Sequence, residues 1–344
     1  MKIIDILQNP NYTSKNVVEK LICYRLGVTK ETLFTDSDRE IGSSDYERID
    51  SSYHEYHDQK KPLEYILGFV EFLGVRFHVN SATLIPRPET EYMIEAVGEM
   101  LQEKSEKAPN NTSDNTSTAP AKATIIDVGT WCGVLWISTL LHNPDKVQEV
   151  YLTEFSADAL EVAKKNYEIL GKQYPRLVET PLSFLECNLV DHPALMAVLQ
   201  SDQPIVLVAN LPYIPDQTFD ENVEDNVKKR EPRMAFVWGD DGLDLYRKMF
   251  DQILEAQAIK SIGSVLLGEG NLSEGLSVLD VGSLTGMIST SGSGITMFLE
   301  MMTRQVDILR KEYGKILSFE EVKTFHFNIR IVKATYREFQ KSSL

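Results

Sequence analysis

The chain has few cysteines, no long apolar run and a deficit of basic side chains. Its three cysteines, Cys23, Cys132 and Cys187, lie far apart without a Cys-x-x-Cys pair, which argues against a disulfide framework and a zinc knuckle. No apolar run approaches the ~18 to 20 residues of a membrane span, so no membrane contact is expected. The first dozen residues include Asp5 and lack the basic and apolar regions of a signal peptide, which predicts a cytoplasmic protein.

The charge balance limits the class of partner. With 35 basic and 51 acidic residues, the formal net charge is −16. This charge argues against a broad nucleic-acid surface, which depends on neutralising phosphates, and is more compatible with a protein partner or a small cofactor. A chain of 344 residues is long enough for a large domain and a smaller one.

The first part of the chain is predicted to be a small helical domain over residues 1–61. Apolar residues repeat at intervals of three and four between Val17 and Leu26, and Gly27 is suited to end that helix. A connecting β-hairpin is predicted within 62–85, because two apolar runs flank Leu73-Gly74. A further helix is expected from near Thr90 to beyond Met100.

From residue 86 to residue 344, strand-like and helical runs alternate, which predicts a doubly wound α/β sheet with ligands at the carboxyl ends of its strands. The predicted strands are 124–128, 149–153, 183–186, 205–209, 295–300 and 325–332, and the predicted helices between and after them are 134–141, 157–170, 243–258 and 304–313. Ser264–Glu269 competes with 295–300 as a strand, and the second is favoured because a helix follows it directly. The stretches near 103–122 and 264–294 are predicted to be flexible insertions.

The tetrapeptide Asn210-Leu211-Pro212-Tyr213 directly follows the apolar run from Pro204 to Ala209. The asparagine oxygen can accept a hydrogen bond from an NH2 group, the Leu211 carbonyl is stiffened by the following proline, and the tyrosine ring can pack against a flat group. Together they suit the alkylation of an amide or an exocyclic amine that is held with its nitrogen facing a methyl donor. An ordinary proline-containing turn is the alternative interpretation.

A glycine loop, Asp127-Val128-Gly129-Thr130-Trp131-Cys132-Gly133, joins the first strand of the predicted sheet to a helix. Its glycines allow a nucleotide-like ligand to approach the backbone closely. Glu154 stands at the end of the second strand, where an acid can bind ribose hydroxyls. The loop alone is weak evidence, since dehydrogenases share it. The ordered set of loop, acid and strand-end tetrapeptide is more specific.

With these motifs, the chain resembles the class I S-adenosylmethionine-dependent methyltransferases that modify the glutamine amide of peptide-chain release factors (HemK/PrmC type). The resemblance runs from about Pro62 to Phe250. The motifs that carry it are Pro62-Leu63-Glu64-Tyr65-Ile66-Leu67-Gly68, Leu84-Ile85-Pro86-Arg87-Pro88-Glu89-Thr90-Glu91, Asn210-Leu211-Pro212-Tyr213-Ile214, Glu231-Pro232-Arg233 and Gly242-Leu243-Asp244-Leu245-Tyr246.

The resemblance implies a Rossmann-like methyltransferase sheet, S-adenosylmethionine as cofactor, and N5-methylation of the glutamine in the Gly-Gly-Gln loop of a release factor by a monomer. It places Glu154 on the ribose, and Asn188 and Leu189 at the adenine. The residues implied around the rest of the cofactor are Asp127, Gly129, Thr130, Trp131, Cys132, Gly133 and Asn210. The residues implied to be catalytic are Asn210, Leu211, Pro212 and Tyr213. The helical domain would help to recognise the release factor.

The chain departs from the family pattern at the cofactor loop and at three further positions. Trp131 and Cys132 replace the middle Gly and Ser of Asp-x-Gly-Thr-Gly-Ser-Gly, so the indole is expected to turn outward if the cofactor binds. Glu154 and Asn188 replace acids of the usual pattern, and Leu211 replaces a proline. Two alternatives stay open: N-methylation of an exocyclic amine in nucleic acid, which the charge disfavours, and a non-catalytic binding protein that has lost its cofactor site.

Overall fold

The computed structural model describes residues 1–106, 122–223, 225–268, 294–324 and 329–337. The segment predicted as an insertion at 103–122 starts inside a helix that ends at Glu106, and its residues 107–121 lie outside the described residues. The segment predicted as an insertion at 264–294 starts inside a helix that ends at Gly268, and its residues 269–293 lie outside them too.

The N-terminal part is helical, as predicted. It consists of α1 (Ile3–Leu7), α2 (Lys15–Leu26), α3 (Lys30–Thr35) and α4 (Ser43–His57). Helix α2 ends at Gly27, whose φ of 64° is in the left-handed region that glycine adopts without strain. The buried side chains of these helices form a core of their own, which includes Ile6, Val18, Ile22, Leu33 and Tyr53.

A short helix and a hairpin connect this core to the rest of the chain. The predicted hairpin is confirmed as β1 (Phe69–Phe72) and β2 (Val75–His78), which pair antiparallel. The prediction missed α5 (Leu63–Leu67), which precedes the hairpin and ends at Gly68. Leu63 explains the helix, because its side chain packs into the core of the N-terminal helices.

A seven-stranded sheet with the order β5-β4-β3-β6-β7-β9-β8 confirms the predicted α/β fold class. Its strands are β3 (Ala123–Val128), β4 (Val147–Glu154), β5 (Leu182–Glu186), β6 (Ile205–Ala209), β7 (Ile295–Met302), β8 (Leu317–Thr324) and β9 (Ile329–Tyr336). Strands β3 to β7 run parallel to one another, whereas β9 is antiparallel to both β7 and β8.

The end of the sheet differs from the prediction. One closing strand was expected at 325–332, and the structure has two, β8 and β9, while residues 325–328 lie outside the described residues. Strand β8 is at the edge of the sheet and carries charged side chains such as Glu320 and Lys323. Charged residues at an edge strand prevent pairing with another chain. Because they interrupt the apolar pattern, the strand was not predicted. The choice of 295–300 over Ser264–Glu269 is confirmed, because 264–268 is helical.

Helices cover both faces of the sheet, and two large apolar clusters lie between sheet and helices. These helices are α6 (Glu91–Glu106), α7 (Val134–His142), α8 (Ala157–Gln173), α9 (Arg176–Glu179), α10 (Pro193–Leu199), α11 (Asp216–Asn222), α12 (Asp225–Arg230), α13 (Asp244–Gly268) and α14 (Thr303–Tyr313). The parallel strands end at one edge, where a binding site is expected.

Over the described residues, no helix combines the length and apolar character that crossing a membrane requires.

Candidate functional site

The glycine loop leaves the end of β3 in a conformation fixed by backbone hydrogen bonds. The amides of Gly129 and Thr130 both donate to the Thr153 carbonyl, at 2.9 and 3.0 Å. The φ angles of Gly129 and Gly133 are 70° and 84°, in the left-handed region. The Thr130 hydroxyl donates to Asp127 Oδ2 at 2.8 Å, so the loop is tied to the strand that precedes it.

The indole of Trp131 lies inward, which differs from the outward orientation expected when the cofactor binds. Only 8% of Trp131 is exposed, because its side chain packs with Phe219, Phe236 and Val237 from the segment that follows the tetrapeptide. Its Nε1 has no hydrogen-bond partner among the described residues. Apolar contact with these neighbours explains why the indole turns away from solvent.

Only a small cavity is left beside the loop, with a volume of about 20 Å³. Its lining residues come from four parts of the chain: Leu84, Pro86 and Thr90 from the 84–91 motif, Gly129, Thr130, Trp131 and Cys132 from the glycine loop, Val134 and Leu135 from α7, and Asn210 from the tetrapeptide. The structure therefore brings the glycine loop and Asn210 of the tetrapeptide to the same place. This volume is enough for about one water molecule.

Glu154 lies at the tip of β4 next to the loop. Its Oε2 accepts from the Trp131 amide at 2.9 Å, and its Oε1 accepts from the amides of Phe155 and Ser156 at 2.9 and 3.0 Å. Burial raises the pKa of Glu154, and these three amides act in the opposite direction. The carboxyl group thus stands at the position predicted for the ribose acid, with its oxygens engaged by backbone.

Asn188 and Leu189 follow β5 at the same edge of the sheet, but they do not line the cavity. The Asn188 carbonyl accepts from Gln252 Nε2 at 3.3 Å. Leu189 has a φ of 61° and packs into the main core with 7% exposure. The implied adenine contacts therefore remain a prediction.

The side chains of the tetrapeptide join a hydrogen-bond network with Thr90 and Glu300. Asn210 Nδ2 donates to Thr90 Oγ1 at 3.2 Å, and Thr90 Oγ1 donates to Glu300 Oε2 at 3.0 Å. The Tyr213 hydroxyl donates to Glu300 Oε1 at 3.0 Å. Two residues of the tetrapeptide are thereby connected to one buried carboxylate on β7.

The backbone of the tetrapeptide is held as well. The Leu211 amide donates to the Tyr246 hydroxyl at 3.3 Å, and that hydroxyl donates to the Glu300 carbonyl at 2.6 Å. Gln305 Nε2 donates to the Tyr213 carbonyl at 2.7 Å. Leu211 and Pro212 are buried, and the Leu211 side chain comes so close to Gly129 that a β-carbon there would lie 3.1 Å from it.

Four residues of this arrangement were not identified as site residues from the sequence: Thr90, Tyr246, Glu300 and Gln305. Thr90 and Tyr246 belong to motifs that were recognised, but a motif does not tell which atoms its side chains contact. Glu300 could have been found, since it directly follows Leu299, which pairs with Ala209 before Asn210. The carboxyl end of a neighbouring parallel strand is where site residues are expected.

A buried ion pair joins two of the family motifs. Arg87 Nη2 lies 2.8 Å from Glu231 Oε1, and the Ile85 amide donates to Glu231 Oε2 at 3.3 Å. The Glu231 side chain is 2% exposed and that of Arg87 is 37% exposed. The pair fixes the loop before α6 against the segment that packs over Trp131.

The residues of the site fit S-adenosylmethionine in type. The two glycines permit close approach, and Glu154 offers a carboxylate at the adjoining strand end. The cavity of about 20 Å³ is smaller than a nucleoside, and the Trp131 indole fills the adjacent space. Within the described residues, no group of three or more His, Cys, Asp or Glu could hold a metal ion.

Comparisons with known proteins identify the family. No family model matches the chain. A release factor glutamine methyltransferase of Bacillus cereus is 30% identical over 261 residues, which cover 76% of this chain and 82% of that protein. That of Bacillus subtilis is 30% identical over 239 residues, covering 70% and 73%.

Two solved structures of human METTL16 also align with the fold. The catalytic domain in complex with an RNA hairpin has a TM-score of 0.47 and 9% identity, and covers 88% of this chain and 84% of that one. The N-terminal domain in complex with SAH has a TM-score of 0.42 and 10% identity, and covers 95% and 96%.

The relatives at 30% identity confirm the resemblance inferred from the motifs, and with it the class of enzyme. The chain belongs to the family of release factor glutamine methyltransferases.

Proposed function

We propose that this chain transfers a methyl group from S-adenosylmethionine to the N5 nitrogen of the glutamine in the Gly-Gly-Gln loop of a release factor. The cofactor supplies an electrophilic methyl group. The observation that carries the proposal is the position of Asn210, which lines the same cavity as the glycine loop in a chain that belongs to this family.

The residues of the tetrapeptide have separate roles in this proposal. Asn210 Oδ1 accepts one hydrogen of the glutamine amide, and the Leu211 carbonyl accepts the other. Tyr213 packs against the flat amide, with its hydroxyl anchored on Glu300. Holding the nitrogen in line with the methyl donor provides the rate gain by orientation, and the proton leaves after transfer. Around the donor, we assign Glu154 to the ribose, and Asn188 and Leu189 to the adenine.

The test is incubation of the purified chain with a release factor and methyl-labelled cofactor, followed by mass spectrometry of the Gly-Gly-Gln peptide. Asn210→Ala is expected to lose at least about 100-fold in rate, because it removes an oriented acceptor. The exposed Asn222→Ala serves as the matched control and should react like the native chain. An unlabelled glutamine in the native reaction, beside a relative that labels it, disproves the proposed function.

A non-catalytic binding role is a second candidate, and the inward indole of Trp131 is the observation that favours it. Titration calorimetry of the native chain with S-adenosylmethionine separates the two. If the native chain binds S-adenosylmethionine at one-to-one stoichiometry, it has not lost its cofactor site, and this non-catalytic candidate is excluded. No binding by the native chain supports it.

A further inference from the structure

We propose that Glu300 is a positioning residue, which fixes the direction of the hydrogen bonds through Thr90 so that the oxygen of Asn210 faces the reacting amide. This inference rests on the proposed function, since it concerns how the same pocket presents an acceptor to its substrate.

The first step concerns what Glu300 can accept. The residue is 2% exposed and its two carboxylate oxygens receive different hydroxyls, Thr90 on Oε2 and Tyr213 on Oε1, each at 3.0 Å. When the carboxyl group is ionised it has no hydrogen to donate, so both hydroxyls are then the donors. Burial raises the pKa of Glu300 and the nearby Glu89 adds to the rise, whereas the hydrogen bonds from Tyr213 and Thr90 oppose it.

The second step concerns the single hydrogen of Thr90. A threonine hydroxyl has one hydrogen, and here Glu300 takes it, which leaves Thr90 Oγ1 only as an acceptor towards its other neighbour. That neighbour is the Asn210 amide at 3.2 Å, which must therefore turn its NH2 group towards Thr90. The Asn210 oxygen is then directed away from Thr90 and, in the part of the chain that the structure describes, accepts no hydrogen bond.

The third step concerns the backbone of Glu300. Its carbonyl accepts from Tyr246, whose hydroxyl in turn accepts the Leu211 amide. Glu300 thus holds the tetrapeptide through its side chain at Asn210 and Tyr213 and through its backbone at Leu211. The side-chain route can be changed without altering the backbone route.

Two substitutions interrupt the side-chain route. Glu300→Gln keeps the shape of the side chain but places an NH2 group opposite one of the two hydroxyls. The donor direction of the Thr90 hydrogen bonds is then no longer fixed. Thr90→Val removes the hydroxyl and is the alternative test if Glu300→Gln does not fold. Thr90→Ser keeps the hydroxyl and is the control for Thr90→Val. Glu149→Gln is the matched control. Glu149 also accepts hydrogen bonds from a threonine and a tyrosine, Thr124 and Tyr151, but it lies near the amino ends of the parallel strands, away from the site.

The kinetic measurement is kcat and KM for the release factor. Glu300→Gln and Thr90→Val are expected to lower kcat about 10- to 100-fold, the effect of losing a hydrogen bond to a charged group, with KM changed less than about threefold. Thr90→Ser should recover most of the kcat that Thr90→Val loses. Equal kcat values in Glu300→Gln, Thr90→Val and Glu149→Gln would overturn the inference while leaving the proposed function in place.

A second measurement does not depend on activity. In 15N-labelled protein, the side-chain NH2 signals of Asn210, assigned by their loss in Asn210→Asp, report hydrogen exchange with solvent. Thr90→Val and Glu300→Gln should lose the protection of the hydrogen that points at Thr90, and unchanged protection overturns the inference. If the native chain methylates no release factor, the proposed function fails, and this signal alone then decides the role of Glu300.

Discussion

The backbone of Trp131 has a φ of 50°, a value at which a side chain with a β-carbon is strained and glycine is not. The family pattern has glycine there, so the replacement combines local strain with a bulky group beside the cofactor loop. The indole packs with Phe219 and Phe236, which stabilises this conformation. Strain and packing therefore act in opposite directions at this one residue.

Trp131→Gly tests this balance. We expect the variant to bind S-adenosylmethionine at least about 10-fold more tightly. In the native chain the indole has to move before the cofactor enters, at a cost on the order of 1.4 kcal/mol or more, and the variant does not have this cost. We expect it to be about 2 to 4 kcal/mol less stable, since the loss of a buried indole outweighs the relief of strain. Titration calorimetry and urea unfolding measure the two effects. Trp238→Gly, which removes an indole that is 41% exposed, is the control. Equal cofactor affinity in Trp131→Gly and the native chain would show that the indole is no obstacle.

Asp127 makes stability depend on pH. Burial raises its pKa from 3.8 to about 7, with Glu154 adding to the shift and Thr130 opposing it. The folded state therefore binds more protons than the unfolded state between about pH 4 and pH 7, so the free energy of unfolding falls as pH rises through that window. The slope from this group is at most about 1.4 kcal/mol per pH unit.

Asp127→Asn is expected to remove that slope, because the amide does not ionise and can still accept from Thr130. Urea unfolding at several pH values between 4 and 7 measures it. The exposed Asp240→Asn should keep the native slope. Parallel curves for Asp127→Asn and the native chain would refute the assignment of the slope to this carboxyl.

At the scale of elements, the pair Arg87–Glu231 connects a loop and a segment that are 144 residues apart. Arg87→Met leaves the Glu231 carboxylate buried, with the Ile85 amide as its one partner within the described ranges. We expect a loss of about 2 to 3 kcal/mol in the free energy of unfolding, less than the ~3 to 5 kcal/mol of a fully buried pair because Arg87 is partly exposed.

Arg233→Met is the matched control for that pair. Arg233 also carries ion pairs, with Asp216 and Asp220, but about half of each side chain is exposed. Its removal should cost no more than about 1 kcal/mol. Urea unfolding of Arg87→Met and Arg233→Met measures the two losses in the free energy of unfolding. Equal losses would mean that burial of Glu231 does not strengthen its ion pair with Arg87.

The sequence predicted most of the elements and fewer of their contacts. Buried parallel strands such as Ile205–Ala209 are continuous apolar runs, so their positions could be predicted, although the helical segment 264–268 was a competing candidate. The edge strand Leu317–Thr324 was missed because only one of its faces needs to be apolar. The inward turn of Trp131 and the position of Glu300 depend on residues far away in the sequence, and periodicity contains no information about such contacts.

At the scale of the whole molecule, the N-terminal helices have their own core, separate from the clusters on the two faces of the sheet. This arrangement suits the predicted division at residue 61, in which residues 1–61 recognise the release factor and residues 86–344 carry the reaction. Contacts across the connection include the Arg230 side chain donating to the Gln59 carbonyl and the Tyr24 ring near Phe69.

Ile22→Ala tests whether the two parts are energetically separate. Ile22 is fully buried in the helical core, and its truncation should cost about 2 to 5 kcal/mol there. We expect faster hydrogen exchange confined to residues 1–61, an unchanged affinity for the cofactor, and a raised KM for the release factor. Mass spectrometry of exchanged peptides, calorimetry and kinetics measure the three. Ile259→Ala, at a site that is 49% exposed, should alter none of them. Faster exchange throughout the sheet as well would mean that the helices and the sheet unfold as one cooperative unit, because the cost of the cavity would then be shared by both cores.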